Sequence, residues 1–315
     1  MTQPTPDFLD HDRPPVPDLV VPRGVTPFHL DGKPVRGRLV RLGPLADALL
    51  TRHSGADAVI RLLGEALALT AGLASALKYR GSFSVQAKGD GPISMLISDC
   101  TDQGELRGYI RVDAGKLAQY GKNVSARALL GRGYLAFTCD QGDEMERYQG
   151  IVPIEGGDLT EMTGTYFATS EQLRTHLRLA CAQTEKGWRA SAFIMERVAG
   201  EGGIGEELDE EAQDEAWRTA IVLAGTLTEA EMLDDALPPE GLLHRLFALE
   251  GLAVGQSRAL AYGCRCSRSR LAQVLEGFSV PDLDHMAESG VITMTCEFCN
   301  YGFRFNRDGI RGTDT

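Results

Sequence analysis

"GSFSVQAKGDGPISMLI" (residues 81–97) carries the first decision about the fold. Phe83, Val85 and Ala87 alternate with Ser84, Gln86 and Lys88, the period-two pattern of a strand with one buried face. "GDG" (89–91) supplies turn residues, and the apolar run 93–97 returns, which predicts a β-hairpin. Immediately upstream, "ADAVIRLLGEALALTAGLASALKYR" (56–80) sets Val59, Leu62, Leu63, Leu69, Leu73 and Leu77 at helical spacing. Gly and Ala on the other faces allow close packing, so this is read as a mostly buried helix. Arg61 and Glu65 interrupt its apolar character, which argues against a membrane span.

Downstream, alternation in "ELRGYIRVD", "GYLAFTC" and "YQGIVPIE" predicts more strands of one antiparallel sheet. A helix over about 159–173 and the strands "HLRLACAQT" and "WRASAFIMERV" complete an α+β unit ending near residue 199. Composition then shifts. "GEGGIGEELDEEAQDE" (200–215) has no Lys or Arg and reads either as a linker or as the acidic first turn of the helix in "AWRTAIVLAGTL". With "PPEGLLHRLFALE", which opens on the prolines a first helical turn tolerates, it forms a helical connector. The N-terminus, with acidic residues and prolines where a secretory signal needs a basic start and an apolar run, reads as a flexible tail.

Seven cysteines are present among 315 residues, and four of them form two tight pairs near the C-terminus, "CRC" (264–266) and "CEFC" (296–299). Between the pairs, "SRSRLAQVLEGF" and "PDLDHMAESG" read as short helices, and "VITMTCEFCNYGFRFN" as a hairpin whose turn is the second pair. Four soft thiolates from Cys264, Cys266, Cys296 and Cys299 suit a tetrahedral Zn2+ ion, with four unrelated thiols as the alternative. Arg265, Arg268 and Arg270 beside the first pair are positioned in sequence to offset the charge of such a centre and favour thiolate, unless they are simply a solvated helix face. Each pair can also close as a disulfide, CxC only under strain, and loss of the metal would unfold a small domain that depends on it. Cys100, Cys139 and Cys181 fall singly on expected strands and read as buried structural thiols, and His244 and His285 are weak competitors for a metal.

The expected class is therefore α+β: an N-terminal antiparallel sheet packed with helices, a helical linker, and a small C-terminal zinc-binding domain. The expected division is 1–24 flexible tail, 25–199 core, 200–258 partly acidic linker and 259–315 four-cysteine domain. A net charge of −12 argues against general nucleic-acid affinity, and the chain from residue 259 onward has six Arg and no Lys against seven Asp and Glu. No Ser-His-Asp grouping or phosphate loop is seen, so the chain is read as a non-enzyme. A cytoplasmic location is expected, where paired cysteines serve metals or redox chemistry more often than permanent disulfides.

"CRCSRSRLAQVL" followed by "GVITMTCEFCNYGFRF" resembles the C-terminal zinc centre of the heat-shock protein 33 family, the redox-regulated holdase chaperones of bacteria. "LKYRGSFSVQAKGDGPISMLISD", "LRGYIRV", "GRGYLAFT", "YQGIVPIEG" and "TYFATSEQLRTHL" resemble the same family's N-terminal domain, in the same order, over about residues 25–310. The resemblance implies zinc held by the four cysteines in an inactive reduced form. It implies disulfides Cys264–Cys266 and Cys296–Cys299 with zinc release on oxidation, and loss of structure in the zinc domain and linker. The partners it implies are unfolding client proteins bound without ATP, a second copy in an oxidised homodimer, and ATP-dependent foldase chaperones downstream. The competing readings are a zinc-ribbon adaptor or nucleic-acid-binding protein with a purely structural zinc, and a thiol oxidoreductase using Cys296 and Cys299.

Overall fold

Thirteen strands and ten helices order the described chain, which in the computed structural model comprises residues 16–77, 79–121, 124–142, 147–198 and 209–311. Residues 1–15 of the tail expected over 1–24, and 200–208 of the acidic stretch 200–215, lie outside those residues. The described chain forms two units, Leu19–Gly263 and a second that contains Cys264–Thr315.

In the first unit the strands are β1 (Val20–Leu30), β2 (Val35–Arg41), β3 (Ser82–Gly89), β4 (Ile93–Thr101), β5 (Glu105–Val112), β6 (Gly133–Asp140), β7 (Tyr148–Pro153), β8 (Thr175–Thr184), β9 (Gly187–Arg197), β10 (Leu252–Val254) and β11 (Arg258–Tyr262). The helices are α1 (Pro44–Leu50), α2 (Asp57–Ala76), α3 (Ala114–Leu117), α4 (Ala126–Leu130), α5 (Leu159–Thr169), α6 (Glu210–Gly225), α7 (Glu229–Leu233) and α8 (Pro239–Phe247). All eleven strands join one sheet in the order β7-β6-β3-β4-β5-β11-β1-β2-β9-β8, with β10 beside β1. Every pairing is antiparallel except that of β11 with β5.

The expected hairpin is β3–β4, in register from Ser82/Thr101 to Lys88/Met95. The expected helix is α2, whose Leu62, Leu63, Leu67 and Leu69 are buried, with Ala66, Ala68 and Ala71 letting it lie close to the strands. α2 is the one described helix long and apolar enough to cross a membrane, and 78% of that window is buried inside the protein, as in a core helix. The other face of β1, β2, β9 and β8 is covered by the connector. Phe28, Leu39, Phe193 and Met195 from the sheet share a core with Trp217 of α6, Met232 of α7, and Leu243 and Phe247 of α8. Phe193 stacks on Phe28 and Phe247 at centroid separations of 5.6 and 6.3 Å.

Three local expectations shift. β1 begins at Val20, inside the stretch assigned to the tail, because Val20 and Val21 pair with Ala261 and Leu260. α5 ends at Thr169 rather than near 173, since Gln172 sits at φ +53, outside helical geometry. The sheet is not wholly antiparallel, because β11 enters it from the far end of the connector.

The second unit has α9 (Arg268–Glu276), α10 (Val280–Met286), and a hairpin of β12 (Val291–Thr295) and β13 (Gly302–Asn306). Both expected helices are present, each started by a serine: Ser267 Oγ accepts from the Arg270 N–H and Ser279 Oγ from the Asp282 N–H. Leu275, Leu283, Ile292, Phe303, Phe305 and Ile310 make its small core.

Candidate metal centre

Two backbone devices bring the cysteine pairs together. Ser267 ends the extended "CRC" segment by capping α9, so Cys264 and Cys266 stand directly before a helix N-terminus. The second pair is the hairpin turn: the Asn300 N–H donates to the Cys296 carbonyl at 2.7 Å and the Cys296 N–H to the Tyr301 carbonyl at 2.9 Å. Asn300 takes φ +56, a left-handed conformation that Asn tolerates better than most residues.

The four sulfurs converge, all lying within 4.8 Å of one another, and they form the one such cluster of His, Cys, Asp and Glu donors among the described residues. Cys264 Sγ is 3.4 Å from Cys266 Sγ and 3.7 Å from Cys296 Sγ, and Cys266 Sγ is 3.6 Å from Cys299 Sγ. A tetrahedral ion with metal–sulfur bonds of about 2.3 Å needs sulfur–sulfur edges of about 3.8 Å, so the donor set fits a metal ion with little movement. None of the four cysteines is in a disulfide; Cys264 and Cys299 are buried and the other two half-buried.

Protons are shared unequally within the cluster. The hydrogen bond with Cys266 lowers Cys264 to about 7, and that with Cys264 lowers Cys296. The same contacts with Cys264 raise Cys266 and Cys299. Two sulfurs are thus favoured as thiolates even before a cation adds its field, and thiolate is the form that binds metals and attacks oxidants.

The expectation that three arginines jointly offset the cluster's charge is modified. Arg268 lies over the Phe305 ring, 4.5 Å from its centroid, and Arg270 is exposed. Arg268 is therefore engaged in packing, which sequence spacing does not reveal. Cys100, Cys139 and Cys181 are buried on β4, β6 and β8, and burial raises Cys139 and Cys181. His244 and His285 are exposed on α8 and α10 and do not join the sulfurs.

Sequence reasoning missed the residues that hold the connector to the sheet. Arg41, buried at the end of β2, donates from Nη1 to the carbonyls of Asp234 (3.1 Å) and Leu237, and from Nη2 to that of Glu231 (2.6 Å). Arg189 Nε pairs with Asp235 Oδ2 at 2.6 Å. Asp214 of α6 receives Arg174 at 3.0 Å and also Arg197. The only sequence signal was arginine recurring in the otherwise apolar "VRGRLVRL" (35–42), which by itself points to no partner.

A family model described as Hsp33 protein matches residues 24–306. A protein of Caulobacter vibrioides named 33 kDa chaperonin is 39% identical over 293 residues, spanning 90% of this chain and 95% of that protein. One of the same name from Ectopseudomonas mendocina is 34% identical over 285 residues, spanning 90% and 92%. The crystal structure of the 33 kDa chaperonin (heat shock protein 33 homolog) from Thermotoga maritima superposes with a TM-score of 0.73 over 91% of this chain and 96% of that one, at 20% identity, a likeness of fold.

Proposed function

Because the chain belongs to the Hsp33 family, we propose that it is a redox-regulated, ATP-independent holdase chaperone, inactive when reduced and metal-bound and active when oxidised. The observation that carries this reading is the convergence of all four sulfurs in a unit whose apolar core is small. The family's relatives are named chaperonins, which supports client binding rather than catalysis.

Zn2+ is the ion proposed for the four cysteines, since a soft, redox-inert tetrahedral cation suits four thiolates. When bound, it supplies cross-linking of the two pairs, worth about 10–16 kcal/mol in small zinc peptides. That is the scale on which a unit with so few buried side chains is held.

Oxidation acts on the chain's own sulfurs. For each pair, two R–SH groups and one hydrogen peroxide give R–S–S–R and two waters, the new bonds being Cys264–Cys266 and Cys296–Cys299. A disulfided sulfur is no longer a thiolate ligand, so ligation ends and the second unit loses its principal restraint. The CxC disulfide spans a single residue and is strained, so reductants reverse it readily.

The activating consequence is release of the connector, 200–258 in the proposed division of the chain, from the apolar face it covers. Phe28, Phe193 and Met195 on one side and Trp217 and Phe247 on the other would then be available to non-native chains. The acidic residues at the connector's start keep the opened form soluble. The proposed setting is the cytoplasm, with an oxidised homodimer holding clients until ATP-dependent foldases receive them.

Light scattering of a thermally unfolding client tests the reading, with the protein either reduced and zinc-loaded or treated with peroxide at elevated temperature. Suppression of aggregation by the oxidised sample alone is the expected result. Equal behaviour of the two samples overturns the switch and leaves a structural zinc, as in an adaptor protein.

A further inference from the structure

The eleven-stranded sheet has a seam. β7, β6, β3, β4 and β5 form one half, β1, β2, β9 and β8 the other, and β11 alone joins them. Its pairing is sparse: Ala261 and Tyr262 face Glu105 and Leu106 of β5, and the register with β1 shifts between Val21 and Val25. β8 and β9, by contrast, stay in register from Thr175/Glu196 to Thr184/Gly187. α2 packs beneath strands of both halves, so their alignment does not depend on β11 alone.

β11 is held by its backbone and by Arg258, whose Nη1 donates to the Ser75 carbonyl at 3.1 Å and Nη2 to that of Asp102 at 3.0 Å. The Ala261 N–H donates to the Gly104 carbonyl at 2.9 Å, the Gly263 N–H to that of Leu106 at 2.9 Å, and the Tyr262 N–H to that of Leu19 at 3.1 Å. Its buried side chains, Leu260 and Tyr262, alternate with the more exposed Ala259 and Ala261. The room for Leu260 comes from Gly24 of β1, where a Cβ would stand 2.5 Å from Leu260 Cγ. Gly104, at φ +84, admits the Ala259 carbonyl in the same way. Two edges that offer main-chain partners, with a pocket for every second side chain, recognise an extended chain with little regard to sequence.

Covalent order connects this seam to the sulfurs: Cys264 follows Tyr262 after one glycine. Unravelling that begins at Cys264 therefore passes next into the strand that joins the two halves and meets β5 at only two positions.

We propose that β11 is a displaceable strand and that the slot between β1 and β5 is a binding site for an extended segment of a non-native polypeptide carrying large apolar residues at alternate positions. The site rests on the holdase reading and deepens it, naming where a client's main chain is gripped. β11 is then the slot's occupant at rest, and its departure exposes both edges at once.

The test uses the full-length protein and a fluorescent peptide of the β11 segment, GQSRALAYG (residues 255–263). Anisotropy should show binding to the peroxide-treated protein at least tenfold tighter than to the reduced, zinc-loaded protein. A peptide with the Leu260→Glu change should bind at least tenfold more weakly, and unfolded, reduced α-lactalbumin should displace the parent peptide. Hydrogen exchange read in parallel should show the amides of 259–262 becoming unprotected on oxidation while those of β3 and β6 stay protected. Aggregation suppressed by the oxidised protein with β11 still protected would overturn the slot and leave the holdase reading intact. Peptide binding that unfolded α-lactalbumin does not displace would overturn the client assignment. Absence of any oxidation-dependent suppression, with β11 protected, would remove the holdase reading and the slot together.

Discussion

The Leu19–Gly263 unit and the Cys264–Thr315 unit are stabilised by different physics. The first buries both faces of much of its sheet, α2 on one side and α6, α7 and α8 on the other, so removing any one side chain leaves most of the restraint in place. The second has a small apolar core and four sulfurs within 4.8 Å, so its restraint is concentrated in one cluster. The proposed redox trigger would be effective only where little else holds the chain. The largest predicted effect breaks this contrast directly: Cys296→Ser in the reduced protein should lower zinc binding and expose tryptic sites after Arg268 and Arg270. The loss is bounded by the whole contribution of a structural zinc, about 10–16 kcal/mol, with circular dichroism of the large sheet unchanged. An unaltered zinc stoichiometry and cleavage pattern would show that the apolar core suffices.

Substitutions within the first unit test how far its restraint is distributed. Phe247 of α8 is fully buried and stacks on Phe28 at 5.5 Å and on Phe193 at 6.3 Å. Phe247→Ala should cost about 3–5 kcal/mol of connector docking, seen as faster exchange of α6 and α8 amides while those of β3 and β6 hold. Zinc binding should be unaffected. Arg41→Met should cost somewhat less, about 1–3 kcal/mol, because it leaves the carbonyls of Glu231, Asp234 and Leu237 without their shared donor. Limited proteolysis within 231–237 reads this loss. Equal loosening of the whole sheet would instead make Arg41 a general structural residue.

How much was legible in the sequence follows the range of the interactions. β3 to β9 could be read because each alternates or runs apolar over a short local stretch, and α2 because its apolar spacing runs for five turns. The four cysteines were legible from type and spacing. β1 was obscured by Pro22, Gly24 and Pro27, and β11 by its small alternating side chains, since both become strands through partners far away in sequence. The role of Arg41 was unreadable for the same reason: its acceptors are main-chain carbonyls nearly two hundred residues on, which carry no residue-type signature. Arg268 was legible as a charge, while its placement over Phe305 depends on how α9 meets β13.

The smallest predicted effect concerns pH in the first unit. Glu65 is on α2, and burial pushes its carboxyl up to about 7, with Arg61 of the same helix opposing and Asp158 and Glu229 adding to the rise. Its folded value exceeds the ordinary 4.5, so the folded state binds the proton more tightly than the unfolded chain does. The resulting stability is fully present below about pH 4.5 and is lost as pH rises through about 7. The shift bounds the effect at about 3 kcal/mol, and less is expected because Glu65 retains some access to water. Glu65→Gln, which stays neutral throughout, should raise the melting temperature of the reduced protein at pH 8 and leave it nearly unchanged at pH 5. Since Glu229 belongs to α7, the same substitution should slow exchange of the α7 amides at pH 8. Equal melting temperatures for the two proteins at pH 8 would mean that the Glu65 carboxylate is already accommodated by water and Arg61, and that this part of the first unit is as insensitive to charge as the rest of its core.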